Sequence, residues 1–477
     1  MAANLEEHHL PNRLDGQKHE SSEMSKDIDT ELGVERKKDA VSIPGTSEPV
    51  KSFWQKLVNL GVELRGLEPI PLELRVTSIF SHYPQKRPWG FFRKIGIGAA
   101  TTLGYGLSLA QVAPMIICLQ LILLIPSCYI LTLAPLLGMR QWCQFRYVYG
   151  KYFNQVISFV GLLGTAIFGI VTSVTGGQTL ASVNPGTLSI EGGIANILLA
   201  ACFIGFMGYK VPHGFARYAW IHAAFGVVIL IGCAGDQLHQ QAPSCATGAR
   251  PWLSLISLTA GISFAWGGII GDYACYMPKK ASRFRLAFYF LSGFGVIFSL
   301  LMILGAALGG AALMITTWAT ALKRGGTGAV VGGILISRLG GFGRFVLAIL
   351  ALTVGHLGTN HNGGAHRRGN SRLKVIHIIT LGAGLDPILH IWNYGAPFQI
   401  EWLWFRRANP DSMDPAIWDD GKALPSGIPA IAAFVIGWGP IVCGMDTVWL
   451  RGPLAEIVGD LGWELAIITA IVVYIPL

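Results

Sequence analysis

Between residues 259 and 285 the chain reads TAGISFAWGGIIGDYACYMPKKASRFR. Trp266 is followed at once by Gly267 and Gly268, and Gly271 precedes a lone acid, Asp272. The stretch closes on Tyr276, Met277, Pro278 and the bases Lys279, Lys280, Arg283 and Arg285. A glycine inside a helix costs roughly 1 kcal/mol relative to Ala, so a pair within an apolar run implies a reason. In a bilayer that reason is often opened backbone lining a binding site. The adjacent indole then offers a flat face on which a planar ring can stack. Other constellations are poorer. His356, His361 and His366 recur at i, i+5 and i+10, which places them on different helix faces and gives a metal ion no common point. The eight cysteines are scattered, mostly singly inside apolar runs, without CxxC or ligand spacing, so neither a zinc site nor a disulfide framework is indicated. No triad, dyad or metal motif converges as a membrane enzyme would require.

What must position these residues follows from composition. Of 477 residues, 52% are hydrophobic and only 13% charged, with a mean hydropathy of +0.50. Soluble domains carry about 25% charged residues, so this is an all-α polytopic membrane protein whose partner is the lipid bilayer. The net charge of +9 does not mark a nucleic-acid partner, because the bases cluster at the ends of apolar runs. That is the positive-inside pattern.

Along the chain, residues 1–50 are polar and lack an apolar core segment, and are expected to form a disordered cytoplasmic tail. Residues 51–90 mix apolar and charged positions, as in SFWQKLVNLGVELRGLEP, and read as an amphipathic juxtamembrane segment. From 91 to 477 runs the transmembrane domain, with apolar stretches near 104–135, 154–180, 191–211, 218–236, 252–276, 286–314, 328–355, 427–447 and 461–477 and a weaker pair near 375–405. Basic loops (Arg140, Arg146, Lys151; Lys210, Arg217; 279–285) alternate with turns near 181–192 and 237–249 that hold no Lys or Arg, so the basic ones face the cytoplasm. A cytoplasmic N-terminus then needs a span before residue 104. FFRKIGIGAATT at 91–102 is short and carries Arg93 and Lys94, so it is either half of a re-entrant hairpin or the remnant of a missing helix. A second irregularity, GHLGTNHNGGAHRRGNSR at 355–372, is too polar to span lipid.

Several stretches, in order, resemble the nucleobase–cation symporter family, and most of all its fungal purine–cytosine permeases: LGMRQWCQFRYVYG (137–150), IFGIVTSVTGGQ (167–178), GYKVPHGFARYAWI (208–221), WGGIIGDYACYMPK (266–279), LGGFGRFVLAILAL (339–352), EWLWFRR (401–407), LPSGIPA (424–430) and VWLRGPLAEIVGDLGWELA (448–466). The resemblance implies two inverted five-helix repeats plus two C-terminal helices, with both termini cytoplasmic and the first and sixth helices broken at the substrate site. Here the first and the eighth/ninth helix regions are irregular.

By that resemblance Trp266 is the stacking residue and Gly267 lies at the break of the sixth helix. The family's third helix carries a Trp and, four residues on, an Asn; here those positions are Phe168 and Thr172, on one helix face. A Phe keeps the stacking surface and a Thr keeps one hydroxyl. The family's fifth-helix Glu aligns with Ala216, which removes the usual membrane carboxylate. Asp272, beside the basic loop, suits a structural ion pair or a helix-end role. Asn360 is the amide nearest to the family's eighth-helix asparagine run.

The expected activity is secondary active transport at the plasma membrane: proton-coupled uptake, with H+ as coupling ion and no cofactor, of a purine, cytosine or similar small heteroaromatic compound. Two alternatives stand beside it. One is transport of pyridoxine or another heterocyclic vitamin. The other is a decayed paralogue or faulty gene model that transports nothing, separable by sequencing the transcript across 85–105 and 350–395.

Overall fold

The computed structural model describes residues 68–75, 91–206, 210–268, 270–359, 413–447 and 450–476, all within one compact unit, Leu60–Leu477. The expected tail at 1–50, most of the juxtamembrane segment, the weak pair near 375–405 and Asn360 lie outside the described residues. Among the described residues the chain is helical, with one isolated bridge, between Asp446 and Arg451, as its only extended pairing.

The first described helix, α1 (Phe91–Leu103), has 13 residues and so measures about 20 Å, short of the roughly 30 Å of hydrocarbon. After a turn come α2 (Leu109–Leu123) and α3 (Ile125–Leu137), nearly collinear and together long and apolar enough to cross a membrane. Gly138, at φ 65°, stops α3 in the left-handed conformation that glycine adopts without penalty. A single turn, α4 (Gln141–Gln144), leads into α5 (Arg146–Ala181), kinked at Gly150. Then follow α6 (Ile190–Phe206), α7 (Lys210–Ala234) and α8 (Arg250–Ala265). Beyond the glycine pair lie α9 (Gly271–Ala274) and α10 (Arg283–Phe290), the latter continuing through a π turn (Leu291–Val296) into α11 (Ile297–Met314). The last elements are α12 (Thr316–Thr359), α13 (Ile428–Gly444), α14 (Pro453–Val458) and α15 (Gly462–Thr469), with a second π turn at Ala470–Tyr474.

Packing follows small residues. Helix α1 runs along α11, with the backbone of Gly98 against Met302 and those of Gly305 and Gly309 against Ile95 and Ala99. Gly305 and Gly309 stand four apart, the small-xxx-small spacing that lets two backbones approach where lipid offers no hydrophobic drive. The Thr102 hydroxyl seals the contact by donating to the Ala306 carbonyl at 3.1 Å. The described first segment is therefore a helix docked along α11. Elsewhere α2 packs on α8 and α11, α5 on α6 and α12, α7 on α12, and α13 on α15.

The span expected at 328–355 needs correction. Residues 316–359 form helices broken at Gly326 (φ 65°) and Gly340 (φ 55°), conformations closed to most side chains. Helix continues to Thr359, so the polar stretch at 355 does not end it.

Candidate functional site

Helix α8 ends at Ala265, and Trp266, Gly267 and Gly268 form one buried 3-10 turn before α9 begins at Gly271. The break read from the glycine pair is present. It is narrower than an opened backbone, because the Ile270 N–H still donates to the Trp266 carbonyl at 2.9 Å.

The Trp266 ring is fixed by two phenylalanines from the neighbouring rod. Phe294 lies 4.8 Å away, centroid to centroid, at an interplanar angle of 73°, and Phe298 lies 6.1 Å away at 66°. Phe290 stacks on Phe294 at 4.9 Å and 18°. Edge-to-face pairs of this kind contribute about 0.5–1.5 kcal/mol beyond the area they bury. Phe294 belongs to the π turn Leu291–Val296, a local widening of the helix that often accompanies functional sites. Leu124 at the junction of α2 and α3, with Leu131 and Ala134 of α3, completes the apolar cluster. An indole held in this way loses little further entropy on stacking with a ligand.

At the C-terminal end of the break, Asp272 Oδ1 accepts the backbone N–H of Gln141 at 2.7 Å. Gly271 packs so closely on the Gln141 side chain that a Cβ would collide with its Oε1. Tyr276 Oη receives Arg140 Nη2 at 3.4 Å. The helix-end role expected of Asp272 is thus visible, exerted on α4 and not on its own helix. Arg75 does similar work for α3: it is buried and donates to the carbonyls of Ile70 (3.0 Å), Pro135 (2.7 Å) and Leu137 (3.4 Å). Burial lowers its pKa from the usual guanidinium value, with Cys275 opposing.

Two ion-pair clusters frame the helix ends. Arg146 Nη1 and Lys151 Nζ reach Asp419 Oδ1 at 2.7 and 3.3 Å, and the Arg146 guanidinium lies 4.7 Å above the Trp418 ring. Arg250 Nη2 and Arg451 Nε reach the two oxygens of Asp446 at 2.6 and 2.9 Å. Arg146 and Lys151, which the sequence reads as cytoplasmic anchors, also tie α5 to the segment before α13, and Arg250 ties α8 to the segment after it.

Of the residues singled out in the sequence, Trp266 and Gly267 sit together at the break. Thr172 is buried on α5, and Phe168 lies one turn earlier on that helix. Helix α5 packs on α6 and α12, and Trp266 packs on α3, the π turn and α11. Sequence reasoning missed Phe294, Phe298 and Arg75. The spacing Phe290, Phe294, Phe298 (i, i+4, i+8) was the available signal for the first two. Among the described residues no three His, Cys, Asp or Glu side chains gather as metal ligands would.

Comparison with known proteins agrees on one group. A family model described as a permease for cytosine/purines, uracil, thiamine and allantoin matches residues 94–363, more than half of the chain. The chain is similar to purine-cytosine permease FCY21 of Saccharomyces cerevisiae, 26% identical over 91% of this chain and 90% of that protein. It is also similar to the vitamin B6 transporter TPN1 of the same organism, 24% identical over 64% of this chain and 55% of that protein. Among solved structures, Mhp1, a nucleobase-cation-symport-1 family transporter in a closed conformation with bromovinylhydantoin bound, superposes with a TM-score of 0.63 at 15% identity, covering 87% of this chain and 94% of that one.

Proposed function

The chain belongs to the family of permeases for cytosine/purines, uracil, thiamine and allantoin, and from that premise we propose that it takes up purine or cytosine nucleobases together with protons. It is a membrane transporter with the fold of its nucleobase-cation-symport neighbours, and not an enzyme. In this reading substrate stacks on Trp266, and Thr172 with amides near the eighth helix, Asn360 among them, reads its polar edge. Phe168 supplies the opposing ring. Two inverted five-helix repeats rock against each other to expose the site alternately, at the plasma membrane with both termini in the cytoplasm. Support for the repeat comes from pairing: α1 lies on α11 while α2 lies on α8, a reciprocal arrangement that two related halves would produce.

One observation carries the proposal: a buried indole at a helix break, set edge-on by Phe294 and Phe298. Stacking on an aromatic contributes about 1–3 kcal/mol per base without demanding one hydrogen-bond pattern. The test is uptake of labelled cytosine, adenine, guanine, hypoxanthine and pyridoxine by transport-deficient cells carrying the wild type or Trp266→Ala. Saturable uptake of a base that Trp266→Ala abolishes supports the reading. The likeness to a vitamin B6 transporter favours one second reading, in which pyridoxine alone of the panel is carried.

A further inference from the structure

Glu464 stands on α15 in contact with the outer half of the broken helix. Its Oε1 is buried without a hydrogen-bond partner, while its Oε2 lies 3.4 Å from the Ser257 hydroxyl of α8. That same hydroxyl lies 3.1 Å from the Asp460 carbonyl. A serine hydroxyl has one proton and two lone pairs. The Asp460 carbonyl and a Glu464 carboxylate both only accept, so they compete for that one proton. An ionised Glu464 would hold its charge with a long, shared contact at Oε2 and no partner at the buried Oε1.

A proton on Oε2 resolves both defects. The carboxylic acid donates to Ser257 Oγ, Ser257 donates to the Asp460 carbonyl, and no net charge is left beside the buried Oε1. Among the described residues no base forms an ion pair with Glu464. On α8, Arg250 is committed to Asp446, and so is Arg451 from the preceding loop. Tyr105, in the turn after α1, faces the negative charges of Asp446 and Asp460, the latter also being the acid nearest Glu464 in the chain.

We propose that Glu464 is a proton-binding site that latches α15 to α8 through Ser257 and makes uptake depend on the pH of the side where α8 begins. The proposal rests on the transport reading above. Protonation forms one O–H bond at Oε2 with a proton drawn from bulk water, taking the side chain from −1 to neutral. Loss of that proton leaves a negative charge beside the buried, unpartnered Oε1 between α15 and α8, and the latch on the half-helix that leads into Trp266 is weakened.

Full-length protein in cells, followed with whichever panel base it accumulates, tests this. Wild-type uptake is expected to fall by up to about tenfold per pH unit above the titration midpoint. Glu464→Gln keeps a donor toward Ser257 without a titrating group, so its uptake is expected to fall less steeply than that of the wild type, keeping only the dependence of the proton-driven step itself. Ser257→Ala is expected to shift the wild-type midpoint while leaving the carboxyl in place. A second measurement is independent of substrate: infrared difference spectra of the purified protein between acid and alkaline buffer. The carboxyl C=O band that appears on acidification is expected to lose one component in Glu464→Gln and to shift in Ser257→Ala. A Glu464→Gln protein with the wild-type pH profile, or with unchanged infrared difference bands, overturns the proposal. Should the wild type carry none of the panel, the transport reading fails while the infrared result still decides the proton site.

Discussion

Asp272 and Gln141, 131 residues apart, are joined by a 2.7 Å hydrogen bond from the Gln141 backbone N–H to Asp272 Oδ1. Gln141 is the first residue of α4, whose leading N–H groups have no partner within the helix. The C-terminal half of the broken helix therefore caps the loop that follows α3, and Arg140–Tyr276 repeats the link one turn on. Losing a helix-capping acceptor costs about 0.5–2 kcal/mol. Asp272→Ala is expected to lower the thermal midpoint of the detergent-solubilised protein, and Asp272→Asn to lower it less. Equal midpoints for Asp272→Ala and wild type would show that the bond contributes nothing.

The α1–α11 contact is expected to tolerate no added side chain. A Cβ at Gly305 meets the Ile95 backbone and one at Gly98 meets that of Met302, so neither clash can be relieved by a rotamer. Overpacking of this kind costs about 1–3 kcal/mol or more. Gly305→Val and Gly98→Val should sharply reduce the fraction of protein that elutes as a single species. Gly439→Val is the control, because nothing lies within 4 Å of a Cβ there.

Phe294 is expected to act on substrate through Trp266. Phe294→Ala removes the closer of the two edge-on contacts and should raise the KM for the transported base several-fold, with Phe294→Leu intermediate. The lost pair is worth about 0.5–1.5 kcal/mol, which sets the scale at up to about tenfold. An unchanged KM would mean that the ring is oriented by other neighbours.

The Asp419 cluster predicts a pH response. Slight burial opposes the effect, but hydrogen bonding to Lys151 and the charge of Arg146 hold the Asp419 carboxyl below its ordinary range. A carboxyl depressed in the folded state stabilises fully above its unfolded value, near pH 4, and loses that contribution as pH falls through the folded value. The Asp419 side chain is half exposed, so the contribution is about 1 kcal/mol or less. Asp419→Asn should lower the thermal midpoint slightly at pH 7 and converge with wild type in strong acid. A difference that grows on acidification contradicts the assignment.

Much of the site's frame was legible because its signals are local. The Gly267-Gly268 pair beside Trp266 marks its own break, and the alternation of bases among the loops needs only counting. Gly340-Gly341 carries the same signal, yet hydropathy over 328–355 masked it, and the kink at Gly340 was read as continuous span. What was not legible is tertiary. The π turn that delivers Phe294 to Trp266 depends on how α10 and α11 pack, and nothing in LSGFGV announces an extra residue per turn. Arg75 could not be matched to the end of α3, because its partners are carbonyls, which carry no sequence identity. Shortness made α1 look deficient, whereas Gly305 and Gly309 on a partner 200 residues away explain how it docks.

The central claim is that this chain moves a nucleobase using the indole at the helix break. Proteoliposomes containing purified wild type or Trp266→Ala, given an inward proton gradient and labelled cytosine or purine, test it most directly. The account predicts accumulation above the external concentration by the wild type, collapse on adding a protonophore, and no accumulation by Trp266→Ala. Accumulation by Trp266→Ala equal to that of the wild type, or none by folded wild type with any base, would contradict it.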